Sequence, residues 1–222
     1  DRHSVTARGT GVKLLLGLCR VVDAINARLG RSLSWLILAA VVVSAVNAVV
    51  RKTLGMSANA WLELQWVLFG AVFLMCASWT LQANEHIRID IVNSNLSKKT
   101  RNVIELIGHV FFLLPMVAVF LYTGLPFLMR SLPDAASVGE VLGNAFHQSP
   151  ITTLGQIFAL GEQSSNAGGL PQWPAKFLIV LGFAVLLVQA LSELIKRIAV
   201  MRGLIEDAHA AGGHHAAAEA EA

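Results

Sequence analysis

Four long apolar runs, separated by short polar stretches, dominate the pattern of this chain. A membrane span takes roughly 20 mostly apolar residues to cross about 30 Å of hydrocarbon. Segments near 33–50, 60–83, 104–129 and 174–195 meet that requirement. Trp35, Trp61, Trp79 and Trp173 fall near the ends of these runs, where an amphipathic ring prefers the interface. Pro174 suits the first turn of the last helix, where a missing N–H does no harm.

Ahead of the first run the period changes. Between Val12 and Arg31, Leu15, Leu18, Val22, Ile25 and Leu29 recur at spacings of three and four. Lys13, Arg20, Arg28 and Arg31 take the other side, with Asp23 close by. This predicts an amphipathic helix lying in the interface, basic face toward lipid phosphates. The expected fold is thus an all-α integral membrane protein of four transmembrane helices preceded by an interfacial amphipathic helix. Residues 1–32 form the arm, 33–205 the membrane domain and 206–222 a tail of Ala, Gly, His and Glu without pattern, expected to be disordered. A signal peptide is a poor alternative for the start, because its cleavage site would fall near residue 48, later than usual.

The third and fourth spans are joined by residues 130–173, too long for a plain helix connection. Val138, Val141, Leu142, Ala145 and Phe146, then Ile151, Leu154, Ile157 and Phe158, predict two short helices on the membrane surface. Gly161 to Pro171 is rich in Gly, Ser and Asn and reads as turns.

Composition sharpens this picture. Of 222 residues, 55% are hydrophobic and 14% charged, whereas a soluble domain carries about a quarter charged. Cys19 and Cys76 stand far apart in apolar surroundings and read as small core residues, with no disulfide framework or zinc spacing. No basic stripe interleaves with aromatics, so nucleic acid is not an expected partner. Lysine and arginine divide 13 to 4 between two sets of loops, the larger set holding residues 1–32, 84–103 and the C-terminal end. Basic residues remain on the cytoplasmic side, which predicts both termini in the cytoplasm and the 130–173 loop in the periplasm.

Candidate chemistry is sparse. Glu63, near the start of the second span, could serve as an ion ligand, but a single carboxylate favours a hydrogen bond to another helix or a partner subunit. After that span, Glu85-His86-Ile87-Arg88-Ile89-Asp90-Ile91 alternates polar with apolar, as an extended segment on the membrane surface would. Arg88 could bridge Asp90 and a helix end, and Glu105 and His109 sit one turn apart at the start of the third span. In the long loop, Glu162, Gln163, Ser164, Ser165 and Asn166 offer polar contacts suited to docking another protein. No nucleophile–base pair, phosphate-binding glycine loop or metal spacing occurs, and an enzyme is not expected. A haem-binding redox anchor is the alternative from another class, but only His109 of the two relevant histidines lies in a predicted helix.

The segments Trp61-Leu62-Glu63-Leu64-Gln65, Leu68-Phe69-Gly70 and Asn84-Glu85-His86-Ile87-Arg88-Ile89-Asp90 resemble the small, Q-type membrane subunit of tripartite ATP-independent periplasmic (TRAP) transporters. The likeness covers roughly residues 12–205. Asn166 to Pro171 and Trp173 to Lys176 resemble the long-loop branch labelled for mannitol or chloroaromatic compounds. The resemblance implies a sodium-coupled importer of an organic acid in a bacterial inner membrane. Its partners would be a large membrane transport subunit and a periplasmic substrate-binding protein. Sodium and substrate would bind the large subunit, leaving this chain without cofactor or metal. The small subunit would brace the large one's scaffold during elevator-type transport. Glu63, His86, Arg88, Asp90, Glu105 and His109 would then be structural or partner-interface residues.

Overall fold

The computed structural model describes residues 2–55, 59–83, 97–144 and 149–204. In chain order these form α1 (Arg2–Leu54), α2 (Asn59–Ala83), α3 (Lys98–Gly108), a π segment (His109–Leu113), α4 (Leu114–Met129), α5 (Ala135–Gly143), α6 (Pro150–Phe158) and α7 (Trp173–Met201). Four helical stretches are long and apolar enough to cross a membrane: Val12–Leu54, Asn59–Ala83, Asn102–Met129 and Trp173–Met201. The protein is an all-α membrane protein. Among the described residues the only extended pairing is the bridge between Gln163 and Pro171.

The sequence suggests a break between arm and first span near Ser32, and the structure has none. Residues 2–54 run as one helix, about 80 Å long at 1.5 Å per residue. The local chemistry explains this. No proline interrupts the run, and the Ser32 hydroxyl donates back to the Arg28 carbonyl (3.0 Å) instead of capping a new helix. Arg31 Nε likewise donates to the Ala27 carbonyl at 3.2 Å.

A seven-residue interval sets which side of α1 packs. Cys19, Asn26, Leu33, Ala40 and Asn47 are all buried. Such a spacing holds one seam against its neighbours over about 42 Å. The seam meets α2 and α7. Leu15, Leu18 and Ile25, from the predicted apolar face, are exposed. The arm therefore packs through small and polar residues and leaves its leucine side outward.

Helix α7 is the hub, touching α1, α2 and α4. It approaches α2 closely at Gly182, where a Cβ would meet Leu74 Cβ at 2.8 Å. On its other side Leu186 and Ala190 join Leu81 of α2 and Val117 of α4 in the core. Phe183 stacks on Phe120 with ring centroids 4.4 Å apart and planes within 2°.

The third span carries the π segment for a local reason. Pro115 lacks an N–H, and its ring would strike the carbonyl four residues back in a regular α-helix. The backbone widens just before it, with the Leu114 N–H reaching the His109 carbonyl. Away from α7 this span is open: Phe112 and Tyr122 are 74% and 81% exposed, and they face lipid or another subunit.

Both predicted surface helices of the long connection are present as α5 and α6. Asp134 caps α5 by accepting the Ser137 N–H at 3.1 Å. Ser149 caps α6 by accepting the Thr152 N–H at 3.2 Å, with Pro150 in its first turn. Ala145, Phe146 and the predicted disordered tail lie outside the described residues.

Candidate functional site

Two polar clusters mark opposite ends of the helix assembly. At the first end, Asp23 and Asn26 of α1 face Ser78 and Gln82 of α2 and Gln189, Glu193 and Lys196 of α7. Lys196 Nζ donates to both Asp23 oxygens (3.1 and 3.0 Å) and to Glu193 Oε1 (2.5 Å). The Gln189 amide lies at the centre, fully buried. Its nitrogen donates to Asp23 Oδ1 (3.0 Å) and Glu193 Oε1 (2.8 Å), and its oxygen accepts from Asn26 Nδ2. Ser78 Oγ donates to Asn26 Oδ1 at 3.2 Å, and Gln82 Nε2 to the Asp23 carbonyl at 3.1 Å. Gly30 completes the contact, since the Trp79 ring lies where its Cβ would stand, with Cδ2 at 2.5 Å.

Close by, Arg197 of α7 pairs with the Glu105 carboxylate of α3 and donates to Asn102 Oδ1 at 3.1 Å. The predicted Glu105–His109 interaction is present in a different form. His109 Nδ1 lies 2.8 Å from the Glu105 backbone carbonyl, while the carboxylate turns to Arg197. His109 is the first residue of the π segment, and its buried Nε2 has no partner among the described residues.

At the other end Glu63 holds the long connection. Its Oε1 accepts from Ser164 Oγ (2.5 Å) and Asn166 Nδ2 (2.8 Å), and its Oε2 from the Leu170 N–H (2.6 Å). Asn59 adds a bond from Nδ2 to the Ala167 carbonyl at 2.9 Å. Gly168 turns the chain at φ +68°, a conformation glycine adopts without strain. Gly169 leaves room for the carboxylate, because a Cβ there would meet Glu63 Oε1 at 2.6 Å. Glu63, expected to bond another helix or a partner subunit, bonds a loop of its own chain among the described residues.

A second anchor holds the same loop. Lys176, buried near the start of α7, pairs with Glu162 and lies 4.0 Å over the Phe127 ring of α4. Hydrogen bonding from Lys176, first of all, holds the Glu162 carboxyl below its ordinary range. Gln163 Nε2 bonds the Ala159 and Gly161 carbonyls (2.7 and 3.1 Å). Of the five residues expected to face a docking protein, four therefore make bonds within this chain, and Ser165 is exposed.

His86, Arg88 and Asp90 lie outside the described residues. The Asp23–Gln189–Lys196 cluster went unassigned in the sequence. Its signal was there, in a Gln inside an apolar span and in small or polar residues spaced by seven along α1.

These features define a multi-pass membrane protein with ion pairs at Lys196, Arg197 and Lys176 that join α7 to α1, to α3 and to the long connection. Residues 38–200 match the family described as Tripartite ATP-independent periplasmic transporters, DctQ component, and the chain belongs to that family. It is thus a small membrane component of a tripartite transporter, and the match does not favour the redox-anchor alternative. No curated protein and no solved structure matches the chain.

Proposed function

We propose that this chain is the small membrane subunit of a sodium-coupled importer of an organic acid, where it braces the scaffold of the large transport subunit during elevator-type movement. It performs no catalysis. Sodium and substrate bind the large subunit, and a periplasmic protein delivers the substrate. Both termini face the cytoplasm, and the 130–173 connection faces the periplasm. The observation that carries the bracing role is the mutual pairing of charged groups: Asp23 and Glu193 with Lys196, Glu105 with Arg197, and Glu162 with Lys176. Each pair ties α7 to another element or stiffens it, as a brace requires. Reconstitution in vesicles tests the reading. Uptake of a labelled organic acid should need a sodium gradient, the large subunit, the binding protein and this chain together. Uptake that persists without this chain, or a large subunit that does not co-purify with it, overturns the proposal.

The exposed rim of the connection is the docking site for the binding protein. Ser165→Trp should raise the binding-protein concentration needed for half-maximal uptake several-fold, while leaving the membrane subunits together. An unchanged saturation curve would remove Ser165 from the interface.

A further inference from the structure

Between α2 and α7, at the Glu63 end, lies a cavity of about 370 Å³. Trp66, Gly70, Ala71 and Leu74 of α2 form one wall, and Ala175 and Leu178 of α7 the other. Below the cavity Gly182 of α7 packs closely on Leu74. The 164–172 segment roofs the cavity, and the Glu63 carboxylate stands at its head. From Glu63 to Leu74 is eleven residues (74 − 63), or about 16 Å of helix. That is close to one leaflet of a roughly 30 Å hydrocarbon core.

Three observations bear on what fills this space. Below Glu63 the walls are apolar and belong to two membrane-spanning helices, so water in that part of the cavity would lack hydrogen-bonding partners. Gly70 does not serve close packing within the chain, because a Cβ there would meet nothing within 4 Å. A glycine inside a helix costs about 1 kcal/mol relative to alanine, and here its effect is to recess the cavity wall. The third observation concerns charge. Glu63 accepts bonds from three neutral donors, and among the described residues no lysine or arginine neutralises it. A carboxylate has about four lone-pair sites, so one direction remains for a cation.

We propose that this cavity binds a membrane phospholipid, one acyl chain lying between α2 and α7 and a protonated amine head group against Glu63. The occupant combines a long apolar body with a positive head, matching the walls and the mouth respectively. A basic side chain from another subunit would satisfy Glu63 but leave the apolar space down to Leu74 unfilled. A bound chain would keep the outer halves of α2 and α7 at their present separation and support the loop above them.

The complex of this chain with its large subunit, purified in mild detergent, provides the test by native mass spectrometry. Wild type should retain an amine phospholipid that Gly70→Leu reduces at least tenfold. Gly108→Leu, on the third span away from the cavity, should retain it. Glu63→Gln should abolish the preference for amine over glycerol head groups. A photoreactive benzophenone side chain replacing Ala71 gives an independent reading in native membranes, and decides the matter if Gly70→Leu fails to assemble. Its adduct should have the mass of a phospholipid. An adduct to a polypeptide, or unchanged lipid retention in Gly70→Leu, overturns the proposal.

Discussion

Lys196 Nζ lies 3.0 and 3.1 Å from the two carboxylate oxygens of Asp23, joining the final turns of α7 to the arm half of α1. This contact turns the arm into an extension of the membrane assembly. Asn26, Ser78 and Gln189 surround it with interhelical hydrogen bonds, and Cys19 Sγ approaches the Ser192 carbonyl at 3.8 Å.

Removing the cation tests that pairing. Lys196→Met leaves Asp23 and Glu193 facing each other around Gln189. Breaking a fully buried pair costs about 3–5 kcal/mol. These side chains are about a quarter exposed, 23% for both Lys196 and Asp23, so about 1–2 kcal/mol is the expected loss. Denaturant unfolding of the purified protein measures it. The double variant Asp23→Asn, Lys196→Met should recover at least half of the loss, and strict additivity of the two changes would show that the groups do not interact.

Steric contact governs Gly30. A Cβ there would stand 2.5 Å from Trp79 Cδ2 and 2.6 Å from Cγ, near the fixed base of the side chain. Gly30→Val should therefore destabilise by about 1–3 kcal/mol through overpacking. Trp79→Ala in the same chain should relieve most of that cost. A Gly30→Val protein as stable as the wild type would mean that α1 and α2 separate freely at this point.

Glu63 requires an acceptor on both of its oxygens. Ser164, Asn166 and the Leu170 N–H all donate to it. Glu63→Gln would aim an NH₂ group at one of these donors, so even this near-isosteric change should loosen the loop. Hydrogen exchange at residues 164–170 should quicken severalfold, with the sodium concentration for half-maximal uptake unchanged. A shift in that sodium concentration would instead make Glu63 part of the coupling machinery.

The pH response of the loop follows from Glu162. Its carboxyl is held below the ordinary value of 4.5, first of all by the hydrogen bond from Lys176. A lowered carboxyl value means that the ionised form favours the folded state, so its contribution is complete above 4.5 and disappears as pH falls through the lowered value. Exchange in residues 159–163 should be level between pH 7 and 5, once corrected for intrinsic rates, and rise in more acidic solution. In Glu162→Gln that acid-dependent rise should be absent. An identical rise in the variant would assign it to another group, such as Asp134.

Orientation rests on the 13-to-4 division of basic residues. Single cysteines at Ser97 and Ser165, in a chain lacking Cys19 and Cys76, report on it. In intact spheroplasts an impermeant thiol reagent should label the Ser165 site only. Labelling at Ser97 alone would invert the topology.

The four spans, the two short helices after Met129 and the turns beyond Gly161 follow from sequence, because each depends on local composition. Apolar length decides what can cross a bilayer, and Asp134 and Ser149 start their helices through neighbours three residues away. The motif around Glu63 identified the family as well. Tertiary structure alone decided the partners. Asp23 and Lys196 are separated by 173 residues, and Glu63 and Asn166 by 103. A linear pattern records that such groups are polar in apolar surroundings but not which one each will meet. It also could not show that arm and span are one helix packed through Cys19, Asn26 and Leu33, with the predicted leucine face outward. In a membrane, where lipid solvates apolar side chains as well as a protein interior does, close fit and hydrogen bonding choose which side of a helix is buried.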